Sequence, residues 1–405
     1  MNHNADAQRR ALAGGSVSTI NKARIGIIGC GQLGLYLCDA AAKLGLHTCI
    51  VAESADSPAG FKADQVILAP LIDSDTIEEL IEASDVISFE KEDIPNHVLQ
   101  QLAAAQRQGR VKVHPDPETL FMLKDKGLQK TWLQQNGFPT LPGQFTCGPA
   151  DAQRRAHQCG FPLVQKLRCG GYDGRGVQII NSAEQIDQLW LEPSVLEPKL
   201  ESFTELAVIG MRDQHGTISC YPAMAMDFDH ELNTLKQVLA PANIPDSLTE
   251  RAEATVNRVL DAMQEVGVFA FEFFLTAEDE LIINEISPRV HNSGHLTMDA
   301  CTVSQYEQHI RAVAGLPLAP LGSLRPSAMV NILYENRIDE ACPYRPVSYL
   351  RSEDSAAVHW YGKSTGRFGR KMGHITATAD SISAAAWQAS RALEGLPGKS
   401  GEYAA

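Results

Sequence analysis

No two of the nine cysteines in this 405-residue chain stand at C-x-x-C spacing; they lie at 30, 38, 49, 147, 159, 169, 220, 301 and 342. An odd, scattered set builds neither a disulfide framework nor a zinc site, so the thiols read as reduced and the location as cytoplasmic. No run of about 18 apolar residues exists, which argues against a transmembrane helix and membrane partners. Residues 1–22 are polar and alanine-rich, lack the apolar stretch of a secretory signal, and read as a disordered N-terminal arm. Positive charge is also short: 35 Lys and Arg against 49 Asp and Glu leave a net charge of −14, which argues against a protein that tracks nucleic-acid phosphates.

The length predicts two or three domains. Arg24–Ile28, a glycine turn and Leu35–Leu44 read as strand, turn and helix. Thr48–Ala52, Gln65–Ala69 and Asp85–Phe89 read as further strands, with helices such as Thr76–Ala83 between them. This alternation predicts a parallel α/β sheet over residues 23–113. Pro115 and Pro117 mark a boundary, after which Leu120–Asn136 reads as one helix and short antiparallel strands as an α+β domain over 114–320. Residues 321–405 read as a small C-terminal β-rich unit.

Three constellations carry chemistry. Gly29-Cys30-Gly31-Gln32-Leu33-Gly34 fits G-x-G-x-x-G between a strand and a helix, and Glu53 follows 19 residues after Gly34. Such a turn suits a dinucleotide, another phosphate ligand or tight packing, so an NAD-linked oxidoreductase is a rival reading. Lys166 and Arg168 precede Gly170-Gly171-Tyr172-Asp173-Gly174-Arg175-Gly176, a glycine-rich loop whose amides can close over nucleotide phosphates. Phe271–Phe274 and Ile283–Ile286 flank a turn at Glu278-Asp279. A hairpin symmetric about that turn pairs positions summing to 557, which sets Glu272 opposite Glu285. Like charges so placed repel, and a divalent cation bound by their oxygens resolves the conflict. Pro288-Arg289-Val290-His291-Asn292-Ser293-Gly294-His295 follows at once, and Arg289 can stabilise charge on a transferring phosphoryl group. Lys363, Arg367, Arg370 and Lys371 make a basic cluster suited to a substrate phosphate.

Gly29–Gly34, Gly170–Gly176, Asn284–His295 and Gly369–His374 together resemble the ATP-grasp superfamily, and within it the 5-(carboxyamino)imidazole ribonucleotide synthase family. The resemblance spans about residues 24–378. It implies an ATP-grasp fold with a Rossmann-like N-terminal domain and a homodimer. The implied reaction joins ATP, bicarbonate and aminoimidazole ribonucleotide through carboxyphosphate, with Mg²⁺, or Mn²⁺ in its place. By resemblance Lys126 and Lys166 hold the ATP phosphates, Gly171–Val177 closes over them, and Arg289, Lys371, Tyr172 and Asp173 serve catalysis. Glu197 and the backbone to Leu200 meet the adenine, and Glu205 the ribose. Glu272 and Glu285 bind the metal beside Asn284. Gln32, Leu33, Glu90, Asn292, Ser293, Lys363, Arg370 and Lys371 surround the imidazole ribonucleotide. The chain departs from the family pattern at Leu35, within Phe89-Glu90-Lys91-Glu92-Asp93, at Val177 and at Met226-Asp227-Phe228. A divergent ATP-grasp carboxylate–amine ligase with another acceptor is the alternative those departures leave open.

Overall fold

The computed structural model describes residues 23–396 except 55, 70–71, 172–175, 230–233 and 335–355. The expected N-terminal arm, and Tyr172, Asp173, Gly174 and Arg175 of the glycine loop, therefore lie outside the described residues. Among the described residues no helix is long and apolar enough to cross a membrane.

The first unit is a parallel sheet of strands β1 (Arg24–Ile28), β2 (His47–Ala52), β3 (Gln65–Leu68), β4 (Val86–Phe89) and β5 (Lys112–Val113), in the order β3-β2-β1-β4-β5. Helices α1 (Gln32–Lys43), α2 (Ser74–Ala83) and α3 (Asn96–Arg107) cover it. The central strands β1, β2 and β4 are almost wholly buried, as a parallel sheet sandwiched between helices requires, while the edge strand β3 is largely exposed. The expected helix over Leu120–Asn136 is two helices, α4 (Pro117–Leu123) and α5 (Lys126–Gln135). Asp125 makes the break: its carboxylate accepts from the amides of Gly127 and Leu128 and pairs with Arg168 at 2.7 Å, so a new helix starts there. The restart aims Lys126 and, one turn on, Lys130 in one direction.

A four-stranded sheet follows, built from β6 (Gln144–Thr146), β7 (Leu163–Leu167), β8 (Val177–Ile180) and β9 (Ser194–Pro198), in the order β6-β9-β7-β8, with α6 (Pro149–Cys159) packed on it. The largest sheet contains β10 (Phe203–Arg212), β11 (Ile218–Cys220), β12 (Met224–Asp229), β13 (Thr234–Ala240), β14 (Gly267–Thr276) and β15 (Leu281–Ser287). It continues into β16 (Ser327–Leu333), β17 (Ala356–Trp360) and β18 (Lys371–Thr378). The C-terminal strands are joined to the rest through β13–β16 pairing, Gln237 opposite Val330 to Ala240 opposite Ser327. The remaining described α-helices are α7 (Asp246–Met263), α8 (Thr297–Ala300), α9 (Gln305–Val313) and α10 (Ile382–Glu394).

The two faces of β14 serve different ends. Phe269, Phe271 and Phe273 point into a core with Val256, Val259 and Leu260 of α7. Fully burying such side chains contributes about 1.5–3 kcal/mol each, enough to hold the strand in place against charge on its other face. The close approach of β10 to α7 depends on Gly210: a Cβ there would stand 2.5 Å from Val256 Cγ1 and 2.9 Å from Leu260 Cδ1. Gly210→Ala is expected to destabilise the fold by about 1–3 kcal/mol through overpacking. Urea denaturation checks this, and a midpoint unchanged from the parent would show that α7 has room to move.

Candidate functional site

The hairpin of β14 and β15 sets the floor of the site. Glu272 pairs with Glu285, Phe271 with Ile286 and Ala270 with Ser287, all summing to 557 as the sequence predicts. Towards the turn the sum is 556, Phe273 with Ile283 and Leu275 with Leu281. The one-residue difference is a bulge at Asn284. A bulge sets two residues against one on the partner strand, and here Asn284 and Glu285 both line the cleft while Ile283 and Ile286 stay in the core.

These groups form a connected set. Lys126 pairs with Glu285 at 2.5 Å. Lys166 donates to Asn284 Oδ1 at 2.7 Å, and Asn284 Nδ2 donates to Glu272 at 3.3 Å. His291 Nε2 lies 3.6 Å from Glu272. Glu205 is on the same sheet face, since Ala207 opposes Glu272 and Glu205 opposes Phe274. Burial, then the charges of Glu285 and Glu205, push Glu272 well above the carboxylate range. Burial pushes Glu205 up to about 7. Burial works against the charge of Lys126, but Glu285 more than restores it.

Three ion pairs, two of them on Glu197, frame this floor. Glu197, 3% exposed, receives Lys130 and Lys166 at 2.7 Å each. Burial opposes its charge, and the two lysines hold it below the usual carboxylate range regardless. Lys130 also donates to Thr140 Oγ1 and the Leu141 carbonyl. Arg289 makes two bonds to Glu92 of the loop after β4, one of them at 3.0 Å. The glycine turn of the first unit meets the same region, in a way the sequence did not indicate. Gly31 N–H donates to Glu90 at 2.7 Å, and Cβ atoms at Gly29 and Gly31 would stand 2.4 Å and 2.3 Å from its carboxylate oxygens. The turn therefore packs around a protein carboxylate, and Glu53 sits outside it, paired loosely with Lys91 at 3.7 Å.

One cleft of about 640 Å³ collects most of the expected residues. Gln32, Leu33 and Glu90 reach it from the first unit; Lys126, Lys166, Gly171, Glu197 and Leu200 from the α5 region and the four-stranded sheet; Glu205, Glu272, Asn284, Glu285, Arg289, Asn292 and Lys371 from the large sheet and its loops. Gly176 closes the base of the glycine loop, its carbonyl accepting from Leu167 N–H at 2.8 Å. Ser293, Lys363 and Arg370 are not in the lining. Ser293 is fully buried, and its hydroxyl and amide are both spent on His291 Nδ1. Lys363 donates to the Lys371 carbonyl, and Arg370 to Thr365. Sequence reasoning missed Lys130, the role of Glu92 on Arg289, and His291. The i,i+4 spacing of Lys126 and Lys130 was the available signal for the first. Val177 and Phe228, two of the departures, line the cleft, whereas Leu35 is in the core.

The donor set on the floor fits a hard divalent cation: two opposed, half-buried carboxylates and an amide oxygen, all oxygen ligands. Among the described residues no cluster of three or more His, Cys, Asp or Glu has metal-holding geometry. A cation here would thus rest on Glu272, Glu285 and the phosphates of a bound nucleotide, the arrangement usual for Mg²⁺.

Residues 131–306 match the ATP-grasp domain, residues 22–124 the ribonucleotide synthetase preATP-grasp domain, and residues 327–388 the phosphoribosylaminoimidazole carboxylase C-terminal domain. The N5-carboxyaminoimidazole ribonucleotide synthase of Bacillus subtilis is 36% identical over 356 residues, covering 87% of this chain and 90% of that protein. The crystal structure of the synthetase of that name from Thermotoga maritima superposes with a TM-score of 0.80 at 36% identity, covering 92% of this chain and 98% of the other. The Aspergillus clavatus synthase in complex with ADP and 5-aminoimidazole ribonucleotide superposes with a TM-score of 0.80 at 27% identity, covering 93% and 100%.

Glu205 yields a pH prediction. Its carboxyl ionises near 4.5 ordinarily and near 7 in the folded protein. The folded state holds the proton more tightly, so stability falls as pH rises through that window. In metal-free, nucleotide-free buffer, Glu205→Gln is expected to exceed the parent in stability at pH 8 by about 1–3 kcal/mol and to match it at pH 4. Urea midpoints at the two pH values check this; a gain of the same size at both would assign it to packing instead of ionisation.

Proposed function

The chain belongs to the N5-carboxyaminoimidazole ribonucleotide synthase family of ATP-grasp ligases, which carboxylate 5-aminoimidazole ribonucleotide at the expense of ATP in purine biosynthesis, and we propose that the cleft residues divide this work as follows. Lys126 and Lys166 neutralise the ATP phosphates, with the amides from Gly171 onward closing over them. The backbone from Glu197 to Leu200 meets the adenine edge, and Glu205 the ribose hydroxyls. The carboxylate of Glu197 is held by its two lysines and fixes where Lys166 points. Phe228 and Leu235 line the cleft on the strands beyond Glu205, which supports reading this departure as a neighbour of the nucleotide and not of the acceptor.

Glu272 and Glu285, with Asn284 beside them, hold Mg²⁺, which when bound offsets phosphate charge during transfer. Arg289 stabilises the carboxyphosphate formed from bicarbonate, and Glu92 holds its guanidinium at the right angle. Gln32, Leu33, Glu90, Asn292 and Lys371 receive the imidazole ribonucleotide, and Lys363 and Arg370 add positive potential behind them. Carboxyphosphate decomposes in water, so a loop that closes over the cleft protects it. The single observation that carries this reading is the opposed pair Glu272–Glu285 in a cleft that also gathers Lys126, Lys166 and Arg289. A homodimer in the cytoplasm completes the reading, on the strength of the family resemblance.

The test is ADP release from Mg-ATP and bicarbonate with and without aminoimidazole ribonucleotide, with labelled bicarbonate trapped in the product. Acceptor-dependent ADP with one label captured per ADP is expected. ATP turnover indifferent to the acceptor would reject the assignment. Glu285→Gln is expected to lower Mg²⁺-dependent ADP formation by at least about 100-fold, the scale of losing a ligand that stabilises transition-state charge, while thermal unfolding shows an intact fold. Wild-type turnover in that variant would defeat the metal assignment.

A further inference from the structure

Behind Asn292 lies a buried group of rings that the reaction scheme does not use. His295, His374 and His359 stack in a column, with centroids 4.3 Å and 4.5 Å apart and planes within 13° of parallel. Tyr36 packs edge-on against all three from α1. His295 is fully buried, and its two ring nitrogens have different partners. Nδ1 lies 2.6 Å from the Tyr306 hydroxyl. Nε2 lies 3.1 Å from Asn292 Oδ1 and 3.3 Å from the Tyr361 hydroxyl.

A neutral imidazole carries one N–H and one lone pair, so the two contacts cannot both be donations. Burial keeps His295 well below its ordinary ionisation range, and the ring is neutral. A phenol is the stronger donor and an imidazole nitrogen the stronger acceptor, so Tyr306 donates its O–H to Nδ1. The proton of His295 is then on Nε2, where it meets Asn292 Oδ1. An amide whose oxygen is taken on one side presents its NH₂ on the other, and for Asn292 the other side is the cleft.

We propose that Tyr306 and His295 form a hydrogen-bond relay that fixes the direction of the Asn292 amide, so that the cleft receives two N–H donors and selects an acceptor substrate presenting oxygen lone pairs. His295 and Tyr306 are positioning residues: neither lines the cleft, and both act through Asn292. The inference rests on the reading of Asn292 as a residue that meets the acceptor nucleotide. The relay draws its parts from separate elements, Tyr306 from α9, His295 from the loop before α8 and Tyr361 from just after β17, so the amide's direction is set by how these elements pack.

The first test reads the proton directly. In enzyme labelled with ¹⁵N-histidine, the signals of His295, identified by their loss in His295→Gln, are expected to show the Nε2–H tautomer. Tyr306→Phe is expected to move the Nδ1 resonance. An Nδ1–H tautomer overturns the proposal, and an unmoved Nδ1 removes Tyr306 from the relay. The second test is kinetic. Asn292→Ala and His295→Leu are each expected to raise KM for aminoimidazole ribonucleotide by about 10-fold to 100-fold, the scale of one hydrogen bond to a charged group. KM for ATP stays at the parental value. The double variant is expected to be no worse than Asn292→Ala alone. Additive effects, or an equal rise in KM for ATP, reduce His295 to a structural part and overturn the relay. An Asn292→Ala variant with unchanged KM for the acceptor instead overturns the premise that Asn292 meets it.

Discussion

Two carboxylates that repel each other are held face to face across one hairpin, and the rest of the site is arranged around that conflict. Glu272 and Glu285 are opposed by the register of β14 on β15, and the phenylalanines on the far face of β14 pin that register into the core. Apolar packing keeps the charges close where an unconstrained chain would part them. The cost is shared out: Lys126 compensates Glu285, His291 stands by Glu272, and Asn284 links Glu272 to Lys166.

The same logic of paired charge joins the units to one another. Glu92 comes from the first unit and Arg289 from the loop after β15, and their half-buried pairing sets one wall of the cleft. Glu90 reaches back into its own unit and fills the glycine turn. Removing one partner of such a pair leaves a partly desolvated charge without its counter-charge, which is destabilising. The walls are therefore fixed in direction as well as position, as chemistry that depends on the placement of charge requires.

Local pattern made some of this legible and distance along the chain hid the rest. The Glu272–Glu285 opposition could be read because two alternating strands and a short turn hold all the information within 14 positions of each other. Even so, the turn is centred half a residue from where symmetry put it, and the bulge at Asn284 restores the pairing. No feature of the residue types marked that bulge. That the glycine turn packs around Glu90 was not legible, because Glu90 is 59 residues away from Gly31. The break between α4 and α5 follows from Asp125 acting as a cap, which competed with an uninterrupted apolar period through Leu120, Leu123, Leu128 and Leu133. Ser293 looked available because the run Asn292–His295 is dense in polar groups, yet the fold turns its hydroxyl inward to His291. The pairing of β13 with β16 crosses about 90 residues, and no periodicity reports a contact of that range.

That last pairing also bears on how the chain is made. Until residue 327 emerges, β13 offers an open sheet edge, with Leu235, Val238 and Leu239 on a strand whose hydrogen-bonding groups await a neighbour. An unpaired apolar edge is a template for association with any other extended chain. A message truncated before that point would yield a product with most of its cleft residues present and an adhesive flank, so the burden on the cell's quality control would come from aggregation as much as from lost activity. Completing the sheet late thus acts as a check on completing the chain.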